Sequence, residues 1–148
     1  MRMIDRKEIW EVLDGYDSEA LTVGMVASHS ALDVCDGAAE EGLPTLAVCQ
    51  KGRERLYAVH NRHLFDHVII LDRFADMIDE EVQEELRRLN TIFIPNRSFT
   101  VYVGWRNIEE KLYIPLYGNR QMLKTEERSL PRNQYWLLEK AGVKTPKR

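Results

Sequence analysis

Ser28-His29-Ser30 follows an apolar run, Leu21 to Ala27, and precedes a stretch with helical periodicity. Two hydroxyls and an imidazole at that junction could bind an anion. The first N–H groups of a helix have no intrahelical partner, and its dipole favours negative charge. A phosphate or a phosphorylated sugar fits that chemistry. The plainer alternative is that Ser28 or Ser30 caps the helix while His29 is solvated; local sequence leaves both open. Four more polar segments follow apolar runs: Lys51 to Arg55, Asp72-Arg73, Asn96-Arg97-Ser98 and Gly118-Asn119-Arg120. Lys51, Arg53 and Arg55 could clamp an anion or only solvate a loop. Ser98 occupies the place that corresponds to Ser28, with Asn96 and Arg97 as phosphate contacts or turn residues. Arg120 could serve a site or form a surface salt bridge.

The elements that must position these groups are legible from periodicity. Asp5 and Glu8 have the spacing of a capping box that opens a short helix ending at Gly15. Leu21 to Ala27 reads as a buried strand. Residues 31–41 read as a helix with Leu32, Val34, Cys35, Ala38 and Ala39 inward, ended by Gly42. Pro44 to Val48 is the next strand, so the chain opens as a βαβ unit. A polar connection over 50–65 leads to a strand at 68–71. One helix is predicted over Phe74 to Leu89, with Met77, Ile78, Val82 and Leu86 at helical spacing. Further strands are predicted at 91–95 and 114–117, and a closing helix at 133–140. This alternation predicts a doubly wound, mostly parallel α/β sheet with helices on both faces. Ligands of such sheets bind beyond the carboxyl ends of the strands. That is where each polar segment falls.

Totals exclude several classes. The chain has 148 residues, 44% hydrophobic and 30% charged, which fits one globular domain. A net charge of −3 argues against nucleic acid as a partner. No apolar stretch is long enough to span a membrane, and no apolar segment of signal-peptide type follows the N-terminal charges. A cytoplasmic location is expected. Cys35 and Cys49 lie in no metal or redox motif and read as small buried thiols. His63 and His67 have i,i+4 spacing but no further ligand pattern, so no metal is assigned. Glu80, Glu81, Glu84 and Glu85 read as a solvated face. Trp105, Tyr113, Tyr117 and Trp136 read as core or interface. There is no GxGxxG, no GxxxxGK[ST] and no GxSxG, and no nucleophile–base pair is evident, so no catalytic residue is assigned.

The segment Ala27-Ser28-His29-Ser30-Ala31-Leu32 resembles the SHSAL or SHTSL segment of the PurP family, the archaeal-type synthetases that formylate 5-aminoimidazole-4-carboxamide ribonucleotide (AICAR). Similar segments follow in the family's order: residues 37–42, Pro95 to Phe99, Pro115 to Arg120 and residues 141–146. The resemblance implies the Rossmann-like N-terminal domain of an ATP-grasp ligase, with the ATP-grasp part following residue 148. It implies that AICAR, formate and ATP are the substrates, that ATP and Mg²⁺ are held mostly by that other part, that the product (FAICAR) serves IMP biosynthesis, and that the protein is a homo-oligomer. It carries AICAR contacts over to His29 and Ser98. Ser28, Ser30, Arg97, Lys51 and Arg53 are the additional substrate-binding candidates. Arg97 stands where the family usually has Gly, and Lys124-Thr125-Glu126 stands where it usually has Arg-Trp-Glu. These departures are the grounds for expecting a divergent paralogue. Two rivals remain: a non-catalytic module that binds a phosphorylated metabolite, and an assembly domain whose Trp- and Tyr-rich C-terminal part packs on other subunits.

Overall fold

A computed structural model describes residues 2–146; Met1, Lys147 and Arg148 lie outside it. The opening helix α1 (Arg6–Asp14) starts at the expected capping box, with the Asp5 side chain accepting from Lys7 N–H and Glu8 reaching back to Asp5 N–H. Strand β1 (Thr22–Val26) leads to helix α2 (Ala31–Glu40), and Gly42 ends that helix at φ +74°. Strand β2 (Thr45–Gln50), a connection with helical turns at Leu56–His60 and Arg62–Leu64, and strand β3 (His67–Leu71) follow. Helix α3 (Glu80–Arg88) leads to the short strand β4 (Thr91–Phe93).

The four strands are all parallel, in the order β3-β2-β1-β4. The chain therefore adds strands outward from β1 to β3, then returns to place β4 on the other side of β1. Residues alternate between the two faces. Val26, Leu46 and Val48 face the larger core with Phe74, Met77, Leu86, Phe93 and Phe99. Met25, Ala47 and Cys49 face a smaller one with Ala31 and Cys35 of α2. The small residues on that second face let α2 lie close to the sheet.

Several expectations are corrected. Ala39 is exposed, because the inward stripe of α2 runs through Ala31, Cys35 and Ala38. The helix expected over 74–89 is broken: a 3₁₀ segment, Phe74–Ile78, ends at Asp79, whose extended backbone starts α3. The connection over 50–65 contains two helical turns. Residues 97–110 are helical, as α4 (Arg97–Phe99), a π-helical turn (Thr100–Gly104) and α5 (Trp105–Glu110), and a 3₁₀ segment covers Arg120–Glu126. The closing helix is α6 (Gln134–Lys140), capped by Asn133. Tyr117 is no core residue, at 72% exposed.

The fifth strand expected at 114–117 reduces to one parallel bridge, Phe93 to Leu116. Two backbone hydrogen bonds make that bridge, Phe93 N–H to the Pro115 carbonyl (2.9 Å) and Tyr117 N–H to the Phe93 carbonyl (3.0 Å). Pro115 has no N–H to extend a ladder further, and side chains brace the residues just before it. Gln83, 1% exposed, donates to the carbonyls of Ile78 (2.8 Å) and Lys111 (3.2 Å) and accepts from Tyr113 N–H (2.6 Å). Arg120 donates to the carbonyls of Ile108 (2.5 Å), Leu112 and Ile114 (2.6 Å). Burial lowers the Arg120 pKa to about 10, against the opposing pull of Glu109, so the guanidinium stays charged at neutral pH.

Gly24 sits where β1 meets β4. A Cβ there would lie 2.5 Å from Thr91 Cγ2 and 3.0 Å from Phe93 Cδ2. Gly24→Ala should therefore cost about 1–3 kcal/mol by overpacking. That lowers the melting temperature by about 2–4 °C per kcal/mol in a chain of this size. Adding Thr91→Ser, which removes the clashing methyl, should recover part of the loss in a thermal melt. Gln83→Leu should cost about 2–4 kcal/mol in a denaturant titration, because it leaves buried backbone groups unpaired.

Candidate functional site

The order β3-β2-β1-β4 makes the gap between β1 and β4 the point where strand addition reverses. In open α/β sheets that crevice is the usual ligand position. Ser28 lies just past the end of β1, and Ser98 lies in α4, just past β4. The Ser98 hydroxyl donates to the Ser28 hydroxyl at 2.9 Å, so two residues 70 apart in sequence meet at the switch point. Asn96 tightens the same junction: its Nδ2 donates to the His29 carbonyl at 2.9 Å, while its Oδ1 accepts from Phe99 N–H at 2.8 Å.

The start of α2 is unusual. Ser30 is its N-cap residue, yet its side chain makes no capping hydrogen bond. The Ser30 hydroxyl is paired with His29 Nδ1 at 2.7 Å instead. Ser30 has φ +67°, a left-handed conformation that non-glycine residues adopt at a cost. The helix start is thus left without the side-chain oxygen that would normally satisfy it. The structure decides against Ser30 as a plain cap. What remains is a cluster of half-buried hydroxyls, an exposed imidazole and a helix N-terminus of positive potential. Such an arrangement can hold a phosphate or carboxylate by backbone and side-chain donors.

The cations expected around this rim are placed differently from one another. Lys51, exposed at the end of β2, pairs with Asp72 at 3.5 Å. Arg73 pairs with Asp76 at 2.7 Å. Arg53 lies over the Tyr102 ring, 5.4 Å from its centroid. Arg97 is exposed and lines a hollow of about 110 Å³ with Trp105, Lys124 and Glu127. Lys124, in the segment that departs from the PurP pattern, pairs with buried Glu109 at 2.8 Å and lies over Trp105. Arg120 is bound to backbone carbonyls and takes no part in the rim. Among the described residues, no group of three or more His, Cys, Asp or Glu is placed to hold a metal ion, and no helix is long and apolar enough to cross a membrane.

Tyr102 was not legible as a site residue, and Asn96, read as a phosphate contact or a turn residue, tightens the junction as a cap. Asn before a helical turn is a common cap, which is the signal for that role in the sequence. Nothing in the local sequence marks Tyr102, which reaches this edge only through the helical course of 97–104.

Both cysteines are buried and unpaired. Burial raises the Cys35 thiol to about 11; burial and then the nearby Glu54 charge raise Cys49 to about 12. Burial likewise raises Tyr16 to about 12. In the unfolded chain these thiols ionise near 9. The folded state keeps protons that the unfolded state would release, so the stability this contributes is present below about pH 9 and falls as pH rises toward 11. A urea titration series from pH 7 to 10.5 should show declining stability above pH 9. Iodoacetamide at pH 8 should label both thiols only once the chain is unfolded.

Comparison with known proteins supplies the context. The family described as "Protein of unknown function (DUF1246)" matches residues 23–148. A 5-formaminoimidazole-4-carboxamide-1-(beta)-D-ribofuranosyl 5'-monophosphate synthetase of Methanopyrus kandleri is 47% identical over 146 residues, covering 98% of this chain and 39% of that protein. The protein of the same name from Methanothermobacter thermautotrophicus is 41% identical over 147 residues, 99% of this chain and 39% of its own length. The crystal structure of an IMP biosynthesis protein PurP from Thermococcus kodakaraensis superposes with a TM-score of 0.66 at 28% identity, over 84% of this chain and 38% of that one. The chain thus spans about two fifths of the length of these relatives.

Proposed function

The chain belongs to the DUF1246 family, and from that premise we propose that it is the substrate-side domain of an ATP- and formate-dependent ligase that formylates AICAR in purine biosynthesis. The observation that carries this reading is the Ser98–Ser28 hydrogen bond across the switch point, beside a helix start that no side chain caps. The relatives are named for a phosphorylated ribonucleotide product. A substrate of that class needs an anion site, and the α2 N-terminus is the feature of this fold that suits one.

In this reading Ser28, Ser30 and backbone N–H groups of α2 bind the phosphate. His29 and Ser98 orient the ribonucleotide, Arg53 contacts its non-phosphate part, and the cations Lys51 and Arg97 add attraction at the rim. ATP phosphorylates formate, releasing ADP. The AICAR amine then attacks the formyl carbon, phosphate leaves, and the nitrogen loses a proton. ATP and Mg²⁺ are held, in this reading, mostly by another part of the ligase. The contribution of these residues is positioning: they hold the amine where the activated formyl group is presented.

Binding tests this directly. AICAR at about 100 times its dissociation constant should stabilise the chain by about 2.7 kcal/mol in a thermal melt. Ser98→Ala and His29→Ala should each weaken binding roughly 10- to 100-fold by calorimetry, the range for a lost hydrogen bond to a charged or polar ligand group. A wild-type chain that shows no shift with AICAR refutes the assignment. A second reading, as an assembly domain, draws on α6, which buries no residue within this chain and leaves Leu138 38% exposed. Light scattering on the chain at increasing concentration would reveal a homo-oligomer if that face is an interface.

A further inference from the structure

The rim cations differ in how they are neutralised. Lys51 and Arg73 have carboxylate partners, and Arg97 shares its surroundings with Glu127. Arg53 has no ion pair among the described residues. Its guanidinium lies over the Tyr102 ring, which packs in turn on Phe74, with ring centroids 5.4 Å apart and planes at 31°. Phe74 is 1% exposed and part of the main core. Arg53 is therefore held by a ring that is anchored in the core, while its charge is left available.

The position of Tyr102 relative to the site is also informative. It lies four residues after Ser98 on one continuous helical stretch, within the π-helical turn Thr100–Gly104. Side chains four residues apart on a helix are neighbours, on the order of 6 Å between Cβ atoms. π-Helical turns recur at functional sites because they alter which side chains share a face. The turn leaves Tyr102 42% exposed and its neighbour Val101 61% exposed. An exposed aromatic ring thus stands one turn along the helical stretch from Ser98, with the unneutralised guanidinium of Arg53 over it.

We infer that Tyr102 and Arg53 form the heterocycle subsite for the ligand whose phosphate lies at the α2 N-terminus, with Tyr102 positioning Arg53 so that its planar guanidinium stacks on, or donates to, a flat polar ring. An arginine fixed over an aromatic ring presents its donors in one plane with little rotational freedom to lose. That suits a base-like heterocycle better than it suits a phosphate, which the helix start already serves. The inference rests on the proposed reading of the site as one for a phosphorylated ribonucleotide.

Calorimetry on the full chain with two probes separates the parts: AICAR, which carries the heterocycle, and ribose 5-phosphate, which lacks it. Tyr102→Leu and Arg53→Gln should each weaken AICAR about tenfold and leave ribose 5-phosphate within twofold. Tyr102→Phe keeps the ring and should bind AICAR as wild type does. Arg53 is exposed, so its variant tests the subsite even where Tyr102→Leu proves unstable in a thermal melt. Equal losses for both probes, or no loss for either, overturn the subsite while leaving the ribonucleotide reading intact. A wild-type chain that binds neither probe overturns both. If ribose 5-phosphate alone fails to bind the wild-type chain, the Leu and Phe variants of Tyr102 decide the matter on AICAR.

Discussion

The pairing of β4 with β1 is the constraint on which the rest of this molecule depends. Three register pairs, Thr22–Thr91, Val23–Ile92 and Gly24–Phe93, bring β4 to the β1 edge of the sheet rather than to its β3 edge. The two strands pack so closely at Gly24 that even a methyl group there would collide with Thr91. This pairing reverses the direction in which strands are added. At the reversal, the segments that leave β1 and β4 part to opposite faces and leave a crevice between their carboxyl ends. The contact between Ser28 and Ser98 follows from that geometry.

One wall of the crevice is regular and the other is not. On the β1 side, α2 lies close to the sheet over alanine and cysteine. On the β4 side, residues 97–126 take short helical turns of changing pitch. Sheet pairing holds this region only at the Phe93–Leu116 bridge. Gln83, Arg120 and the Glu109–Lys124 pair hold it, each joining buried backbone or charge to a neighbouring element. Buried polar struts of this kind are costly to break, because each leaves a desolvated partner behind. Lys124, one of the residues that departs from the PurP pattern, thereby has a structural role in this chain.

At α2 the local arrangement forgoes some stability. A side-chain cap is worth about 1 kcal/mol, and the left-handed backbone at Ser30 carries its own cost. Both fall at the switch point and both leave donors unspent there. Strained, under-satisfied positions tend to gather where a ligand completes them. The hydroxyl of Ser30 turned to His29, rather than to its own helix, belongs to that pattern.

Much of this was determined by the sequence alone. The α/β class, the capping box at Asp5, the helix end at Gly42 and the positions of the four strands follow from periodicity and turn chemistry, which act within a few residues. Ser28, His29 and Ser98 could be picked out as strand-end residues for the same reason. The tertiary structure alone decided the strand order, and with it which two strand ends meet. It also decided that Ser30 does not cap its helix, that 114–117 pairs with β4 through a single bridge braced by Gln83 and Arg120, and that Tyr102 reaches the rim beneath Arg53. The strand order, the Gln83 brace and the Arg53–Tyr102 contact depend on residues far apart in the chain, whereas Ser30 turns to its own neighbour His29. Local patterns carry the hydrophobic period of an element but not the identity of its neighbour.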